Sequence, residues 1–158
     1  MKDFFTVLIE DDEDDVFFFQ RAMQRVDWPG AIHILRDGAE AIDYLTGAHS
    51  ATDGRKHPTP SLVILDLNLP IKTGLDVLEV FRGCDPDCKT PVVVLTSSTS
   101  QLDARDAYLL GANGYFHKPS HPDELLELLK ALKARWIDGK ELRAERDLAG
   151  ERGSVERR

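Results

Sequence analysis

Several side chains that could carry out phosphoryl-group chemistry end or directly follow short apolar segments of the sequence. They are three carboxylates, one hydroxyl and one ammonium group: Glu10, Asp11, Asp66, Thr96 and Lys118. Carboxylate oxygens suit Mg²⁺, and crowded carboxylates stay ionised together when a cation neutralises them. An ionised Asp66 beside a hydroxyl and an ammonium group would be a nucleophile next to a clamp for a phosphoryl group. We therefore expect Mg²⁺-assisted phosphoryl transfer to Asp66.

The elements that must bring these side chains together are repeated strand–helix units. Five apolar segments have the length of strands: Phe4–Ile9, Ala31–Leu35, Ser61–Leu65, Pro91–Thr96 and Asn113–His117. They do not alternate with polar residues, which is typical of a parallel sheet covered by helices on both faces. Ligands of such sheets bind outside the carboxyl ends of the strands. The sequence thus predicts an α/β fold whose sheet edge carries the five functional side chains.

Segments with helical periodicity lie between the strands and after the last one. The predicted helices are Asp14–Val26, Ala39–Leu45, Gly74–Phe81, Gln101–Leu110 and Pro122 to about Asp138. Glycines should end the first four, and Pro122 suits the first turn of the fifth; the glycines are Gly30, Gly47, Gly83 and Gly111. The segment from His49 to Pro60 is predicted to be a surface loop. Beyond Glu10 and Asp11, the acids Asp12–Asp15 are interpreted as a solvated loop and helix start.

Composition excludes several classes of protein. Lysine and arginine number 20 and aspartate and glutamate 28, a net charge of −8 that argues against a nucleic-acid partner. The sequence has neither the apolar stretch of a membrane span nor a signal peptide, so we expect a cytoplasmic protein with no membrane partner. Cys84 and Cys88 are interpreted as reduced thiols. The glycines form no phosphate-binding loop motif.

The chain is predicted to hold one domain and a tail. Residues 1–139 contain all the predicted strands and helices. Residues 140–158 contain six basic and five acidic residues and no aromatic one. This composition predicts a charged tail, partly helical or disordered, that is too polar to be an effector domain.

Four motifs in order resemble the signature set of response-regulator receiver domains, over about residues 4–138. They are Val7-Leu8-Ile9-Glu10-Asp11, Leu65-Asp66-Leu67-Asn68-Leu69-Pro70 with Gly74, Val94-Leu95-Thr96-Ser97, and Gly114-Tyr115-Phe116-His117-Lys118-Pro119. Within that family the chain is most similar to single-domain response regulators of phytochrome-type histidine kinases. The resemblance implies a flavodoxin-like, doubly wound sheet of five parallel strands in the order 2-1-3-4-5, flanked by five helices.

The resemblance also implies a role for each residue of the site. Asp66 would accept a phosphoryl group from the phosphohistidine of a sensor histidine kinase. Asp11 would bind Mg²⁺ or Mn²⁺ directly and Glu10 mainly through water, with Asp66 and the backbone carbonyl of Asn68 as further ligands. The Thr96 hydroxyl would bond a phosphoryl oxygen.

The remaining implied features concern the switch and the partners. Lys118 would pair with the phosphoryl group, and the Lys118–Pro119 peptide bond would be cis. Tyr115 would change rotamer when Thr96 moves, altering the face made by the fourth and fifth helices. A histidine phosphotransfer protein is a further candidate partner, and the fifth helix is predicted to form a homodimer. Glu10 departs from the more usual aspartate, and Thr73 stands where an acid is common.

Two other functions fit parts of the sequence. A phosphohydrolase of the haloacid-dehalogenase type also uses an aspartate at a strand end with Mg²⁺, but its second aspartate is replaced here by Asn68. A pseudo-receiver that binds partners without phosphorylation normally lacks the acceptor or the lysine, and both Asp66 and Lys118 are present. The leading prediction is a phosphoacceptor switch rather than an enzyme.

Overall fold

Strands and helices alternate along the computed structural model, which describes residues 3–47, 59–84 and 88–139. The strands are β1 (Phe5–Ile9), β2 (Ala31–Leu35), β3 (Leu62–Leu65), β4 (Val92–Thr96) and β5 (Gly114–His117). The α-helices are α1 (Glu13–Arg25), α2 (Gly38–Thr46), α3 (Gly74–Cys84), α4 (Gln101–Leu109) and α5 (Pro122–Leu132), with a π-helical turn at Lys133–Ile137. The predicted tail and most of the predicted loop at 49–60 lie outside the described residues.

All strand pairs in the sheet are parallel, and the strand order is β2-β1-β3-β4-β5. This confirms the predicted fold. Every residue of β3 and β4 is buried, whereas β2 and β5 contain exposed residues. The exposure in β2 and β5 follows from their positions at the two edges of the sheet, where each has a strand neighbour on one side only.

The described residues up to Phe18 and from Pro29 to Lys118 form one compact unit that contains the whole sheet. Its core consists of apolar side chains from the strands together with α2, α3 and α4, including Val63, Val77, Leu78 and Ala107. In the second unit, formed by Phe19–Trp28 and the described residues from Pro119, α5 buries Leu125, Leu129 and Leu132. Among the described residues, no helix is long and apolar enough to cross a membrane.

Helix ends follow the predicted glycines at some positions only. Gly47 ends α2 with φ 71°, and Gly111 has φ 104° just after α4, so both use a conformation that favours glycine. Gly83 does not end α3, which continues to Cys84. The prediction fails there because the buried face of the helix, with Leu78 and Phe81, stabilises it beyond the modest cost of one helical glycine.

The loop between β3 and α3 contains a strained turn. Ile71 has φ 72°, and the backbone N–H of Lys72 donates to the carbonyl of Pro70 at 2.8 Å. This three-residue hydrogen bond defines a γ-turn of the strained class. The N–H of Gly38 donates to the same carbonyl at 3.2 Å, so the start of α2 fixes the turn from the other side.

Candidate functional site

Glu10 and Asp66 lie at neighbouring positions because β1 and β3 are paired up to their last residues. Ile9 is in register with Leu65, and the N–H of Asp66 donates to the carbonyl of Ile9 at 3.1 Å. The N–H of Glu10 donates to the carbonyl of Leu35 at 2.9 Å, which continues the pairing with β2. The sheet therefore holds both backbones at its carboxyl edge, as the sequence predicts.

Thr96 and Lys118 reach the same edge from β4 and β5. Thr96 is in register with His117, and the N–H of Lys118 donates to the carbonyl of Thr96 at 2.7 Å. Thr96 is fully buried. Its hydroxyl oxygen accepts a hydrogen bond from the N–H of Ser98 at 3.2 Å. The edge of the sheet thus carries the predicted hydroxyl and the predicted ammonium group on neighbouring strands.

The ammonium group of Lys118 lies among three carboxylates. Its Nζ donates to Oδ2 of Asp66 at 2.8 Å, to Oδ2 of Asp15 at 2.9 Å and to Oε1 of Glu10. The Lys118 side chain is 13% exposed, and those of Glu10 and Asp66 are 1% and 6% exposed. Burying these charged groups costs free energy because they lose contact with water. The hydrogen bonds between the charged partners offset this cost.

Asp15 is a site residue that the sequence analysis missed. The acidic run predicts that Asp15 belongs to the helix start, and Asp15 does lie in the first turn of α1. Its side chain nevertheless turns to Lys118, a residue 103 positions later in the chain. The available signal was the short distance along the chain between the end of β1 and the start of α1, which leaves the first turn of the helix beside the sheet edge.

The protonation of the site follows from its burial and its hydrogen bonds. Burial, reinforced by a hydrogen bond with Asp66, raises the pKa of Glu10 to about 9 despite the nearby Lys118. Burial alone would raise the pKa of Asp66 too, but hydrogen bonds from Glu10, Lys118 and the Asn68 N–H hold it below its usual value. In the same way, the carboxylates raise the pKa of Lys118 against the effect of burial. These pKa shifts favour the ionised form of Asp66 over that of Glu10.

Asp15 is ionised for a similar reason. Burial would raise the pKa of Asp15, but its hydrogen bonds with Glu10 and Lys118 outweigh this effect and lower it. Lys118 therefore faces ionised oxygen atoms on Asp66 and on Asp15.

The predicted metal ligands lie close enough together to hold a cation. Among the described residues, Glu10, Asp11 and Asp66 each offer a carboxylate oxygen within 4.8 Å of the others. Oε2 of Glu10 is buried with no hydrogen-bond partner within the described ranges. A divalent cation fits this donor set, because all the donors are hard oxygens and one of them lacks a partner. Asn68 is placed beside Asp66 by its N–H, which donates to Oδ1 of Asp66 at 3.1 Å.

Tyr115 lies near the predicted switch. It is in register with Val94, two residues before Thr96, and its side chain is half-buried. Its ring centre is 6.5 Å from that of Tyr108 in α4. The Tyr115 hydroxyl is buried and has no hydrogen-bond partner in the described part of the chain. The predicted change of rotamer stays a prediction.

One prediction about the site is wrong. The Lys118–Pro119 peptide bond is trans, since the described residues contain no cis peptide bond. A peptide bond before proline prefers the trans form by roughly 0.5–1 kcal/mol. The Lys118 ammonium group contacts Asp66 with the bond in this form.

Most of the chain is similar to a known protein family and to characterised proteins. The profile of the response regulator receiver domain matches residues 7–130. The probable methanogenesis regulatory protein FilR2 of Methanothrix harundinacea is 36% identical over 134 residues, covering 85% of this chain and 84% of the relative. Response regulator Rcp1 of Synechocystis is 32% identical over 133 residues, covering 84% of this chain and 88% of the relative.

Solved structures show the same similarity. The phosphorylated cyanobacterial phytochrome response regulator RcpA superposes with a TM-score of 0.78 at 29% identity, covering 90% of this chain and 100% of that one. The Mn²⁺-bound form of Rcp1 superposes with a TM-score of 0.75 at 32% identity, covering 89% and 99%.

Proposed function

The chain belongs to the response regulator receiver domain family, whose members accept a phosphoryl group in two-component signalling, and we propose that its phosphoacceptor is Asp66. The observation that carries this proposal is the position of Asp66. Its carboxylate is almost fully buried at the end of β3, stays ionised, and lies 2.8 Å from the Lys118 ammonium group. A positioned, ionised carboxylate is a nucleophile that needs no base to activate it.

The reaction forms one bond and breaks one. A carboxylate oxygen of Asp66 attacks the phosphorus of a phosphohistidine, and the bond from phosphorus to the imidazole nitrogen breaks. The nitrogen keeps the electron pair and takes a proton from solvent. Little covalent chemistry is required of the protein, so positioning and charge stabilisation supply the catalysis.

Several residues of the chain stabilise the transferred group. Lys118 pairs with a phosphoryl oxygen, and the Thr96 hydroxyl donates to another. Glu10, Asp11, Asp66 and the backbone carbonyl of Asn68 would hold Mg²⁺ or Mn²⁺. Such a cation, when bound, neutralises charge on the phosphoryl oxygens and keeps the carboxylates ionised. Movement of Thr96 towards the phosphoryl group then permits Tyr115 to change rotamer.

The proposed donor is a sensor histidine kinase of the phytochrome type. Support for this choice comes from Rcp1 and RcpA, the second of which is described as a phytochrome response regulator. A histidine phosphotransfer protein is a candidate for onward transfer. The cytoplasm is the proposed location, because an ATP-dependent kinase needs access to ATP.

Self-association through α5 is also proposed. The helix is amphipathic, and part of its apolar surface, including Leu126 and Leu128, is only half-buried. Light scattering at tens of micromolar protein, with and without phosphodonor, tests this prediction. A monomeric mass under both conditions contradicts it.

The experiment for the acceptor is labelling with a small phosphodonor, acetyl phosphate, in the presence of Mg²⁺. The parent protein is expected to gain one phosphate that is stable in acid and labile in base, measured by intact mass. Asp66→Asn should gain none, whereas Asp43→Asn, a change at an exposed aspartate of α2, should be labelled like the parent. Equal labelling of Asp66→Asn and the parent would show that the acceptor is another residue.

Phosphotransfer from purified kinases of the same genome then identifies the partner. A phytochrome-type kinase is expected to transfer its phosphoryl group faster than the others. Faster transfer from a kinase of another type would contradict the proposed partner but leave the acceptor unchanged. Repeated hydrolysis of a phosphomonoester would instead identify a phosphohydrolase.

A further inference from the structure

The ammonium group of Lys118 donates three hydrogen bonds, each to a different carboxyl group. Two of these carboxylates, on Glu10 and Asp66, lie at the ends of neighbouring strands and are buried. The third belongs to Asp15, which lies on a helix and whose side chain is 40% exposed. An ammonium group has three donors and no acceptor, so these bonds fix its position completely.

The backbone of Asp15 is also fixed. Oδ1 of Asp12 accepts hydrogen bonds from the N–H groups of Asp14 and Asp15, at 2.9 and 3.0 Å. This arrangement caps the start of α1 and sets the direction in which the Asp15 side chain leaves the helix. The carboxylate is therefore held at the site by the helix rather than by the sheet.

We propose that Asp15 is a positioning residue that holds the Lys118 ammonium group at the site while Asp66 is being phosphorylated. The proposal rests on the proposed function of Asp66. When a carboxylate oxygen of Asp66 bonds to phosphorus, that oxygen is lost as a charged partner of Lys118. Asp15 lies outside the reacting atoms and keeps its carboxylate, so Lys118 retains a fixed partner throughout the transfer.

A flexible lysine needs such a partner. Its four-carbon side chain has many rotamers, and holding one of them costs conformational entropy. The Asp15 side chain is 40% exposed and that of Lys118 is 13% exposed, so Asp15 is the more exposed member of the pair. Its attraction opposes movement of the ammonium group into water.

A simpler role for Asp15 is the favourable interaction of any acid with a helix N-terminus. Glu13 and Asp14 share the first turn of α1 with Asp15 and can play that role equally well. Asp14 is exposed, and among the described residues its side chain has no hydrogen bond or ion pair. Asp14→Asn is therefore the matched control for Asp15→Asn.

The test compares the parent, Asp14→Asn, Asp15→Asn and Asp15→Glu by their rates of labelling with acetyl phosphate and Mg²⁺. We expect Asp15→Asn to lower the maximal rate roughly fivefold, with little change in the half-saturating phosphodonor concentration, because loss of position affects the transfer step. Asp15→Glu should recover part of the rate, and Asp14→Asn should match the parent. Equal maximal rates for Asp15→Asn and Asp14→Asn would overturn the proposal.

A second readout does not depend on phosphorylation. The ¹⁵N signal of the Lys118 ammonium group should be visible in the parent and in Asp14→Asn, where its hydrogens are held, and broadened by solvent exchange in Asp15→Asn. If the parent itself takes up no phosphate, the proposed function fails. The claim that Asp15 holds Lys118 is then decided by this signal alone, and an unchanged signal in Asp15→Asn overturns it.

Discussion

A Cβ atom on Gly74 would lie 2.2 Å from the carbonyl oxygen of Asp66. The first turn of α3 thus packs directly against the backbone of Asp66. The N–H of Gly74 also donates to the carbonyl of Leu67 at 2.9 Å, which ties the start of the helix to the chain just after Asp66. The absence of a side chain at Gly74 is what permits this approach.

Replacing Gly74 should therefore damage stability and the site together. Gly74→Ala is expected to lower the free energy of unfolding by about 2 kcal/mol, because backbone atoms must move to admit the methyl group. Urea denaturation measures this change, and labelling with acetyl phosphate measures the effect on Asp66.

Gly83 in the same helix provides the control. Among the described residues, leaving aside the nearby backbone of the helix itself, no atom would lie within 4 Å of a Cβ there. Gly83→Ala should raise the free energy of unfolding by about 0.5–1 kcal/mol, since alanine favours the helix. If Gly74→Ala and Gly83→Ala lowered the free energy of unfolding by similar amounts, the contact between Gly74 and Asp66 would not be the cause of the loss in Gly74→Ala.

The γ-turn at Ile71 should be a source of strain that a substitution can remove. A β-branched residue rarely adopts φ 72°, and the Ile71 side chain is 76% exposed, so little burial is lost on replacing it. Ile71→Asn is expected to raise the free energy of unfolding by about 1 kcal/mol, because asparagine tolerates this conformation better. Ile71→Val keeps the branched side chain and should give no gain. A lower free energy of unfolding in Ile71→Asn would contradict the proposal that the backbone at Ile71 is strained.

Arg82 joins three segments of the chain through one guanidinium group. It donates to the carbonyls of Gly111 and Cys88 at 3.1 and 3.2 Å and to Oδ1 of Asn113 at 2.8 Å. Because a lysine cannot reproduce this planar set of donors, Arg82→Lys should lower the free energy of unfolding by about 2 kcal/mol.

The control for Arg82 is Arg105→Lys. Arg105 is 67% exposed, and its ion pair with Asp106 spans 3.6 Å. A change within about 0.5 kcal/mol is expected there by thermal or urea denaturation. An equally small change for Arg82→Lys would mean that its three hydrogen bonds add little to stability.

Glu10→Gln should weaken the binding of Mg²⁺. Glutamine keeps the size of the side chain but removes one of the three carboxylates of the proposed metal site. The dissociation constant for Mg²⁺, measured by titration calorimetry, is expected to rise by about tenfold or more. Glu13→Gln, which changes an exposed residue of α1, should bind Mg²⁺ like the parent. Unchanged affinity in Glu10→Gln would remove Glu10 from the metal site.

The residues at the strand ends could be predicted because parallel strands bring their carboxyl ends to one edge. Apolar segments of strand length locate those ends, and Glu10, Asp66 and Thr96 follow from them without knowledge of any contact. The strand order came from the resemblance of the motifs, since local patterning does not fix which strands are neighbours.

Asp15 could not be predicted in this way. It lies in a run of six acids, Glu10–Asp15, that all look alike in sequence. Only the cap made by Asp12 and the path of β5 decide which of them faces Lys118. The φ of Ile71 escaped prediction for a related reason: hydrogen bonds to the Pro70 carbonyl set it against the preference of the side chain.

The strands that precede Asp66 and Lys118 differ in burial, and we expect them to differ in how readily they unfold locally. All of β3 is buried inside the sheet, whereas β5 lies at its edge with only Gly114 fully buried. Amide hydrogens in β3 should exchange with solvent only on global unfolding, and those at the end of β5 through smaller local openings. Asp66 thus follows the strand expected to be more protected, and its ammonium partner, Lys118, follows a strand expected to open without it.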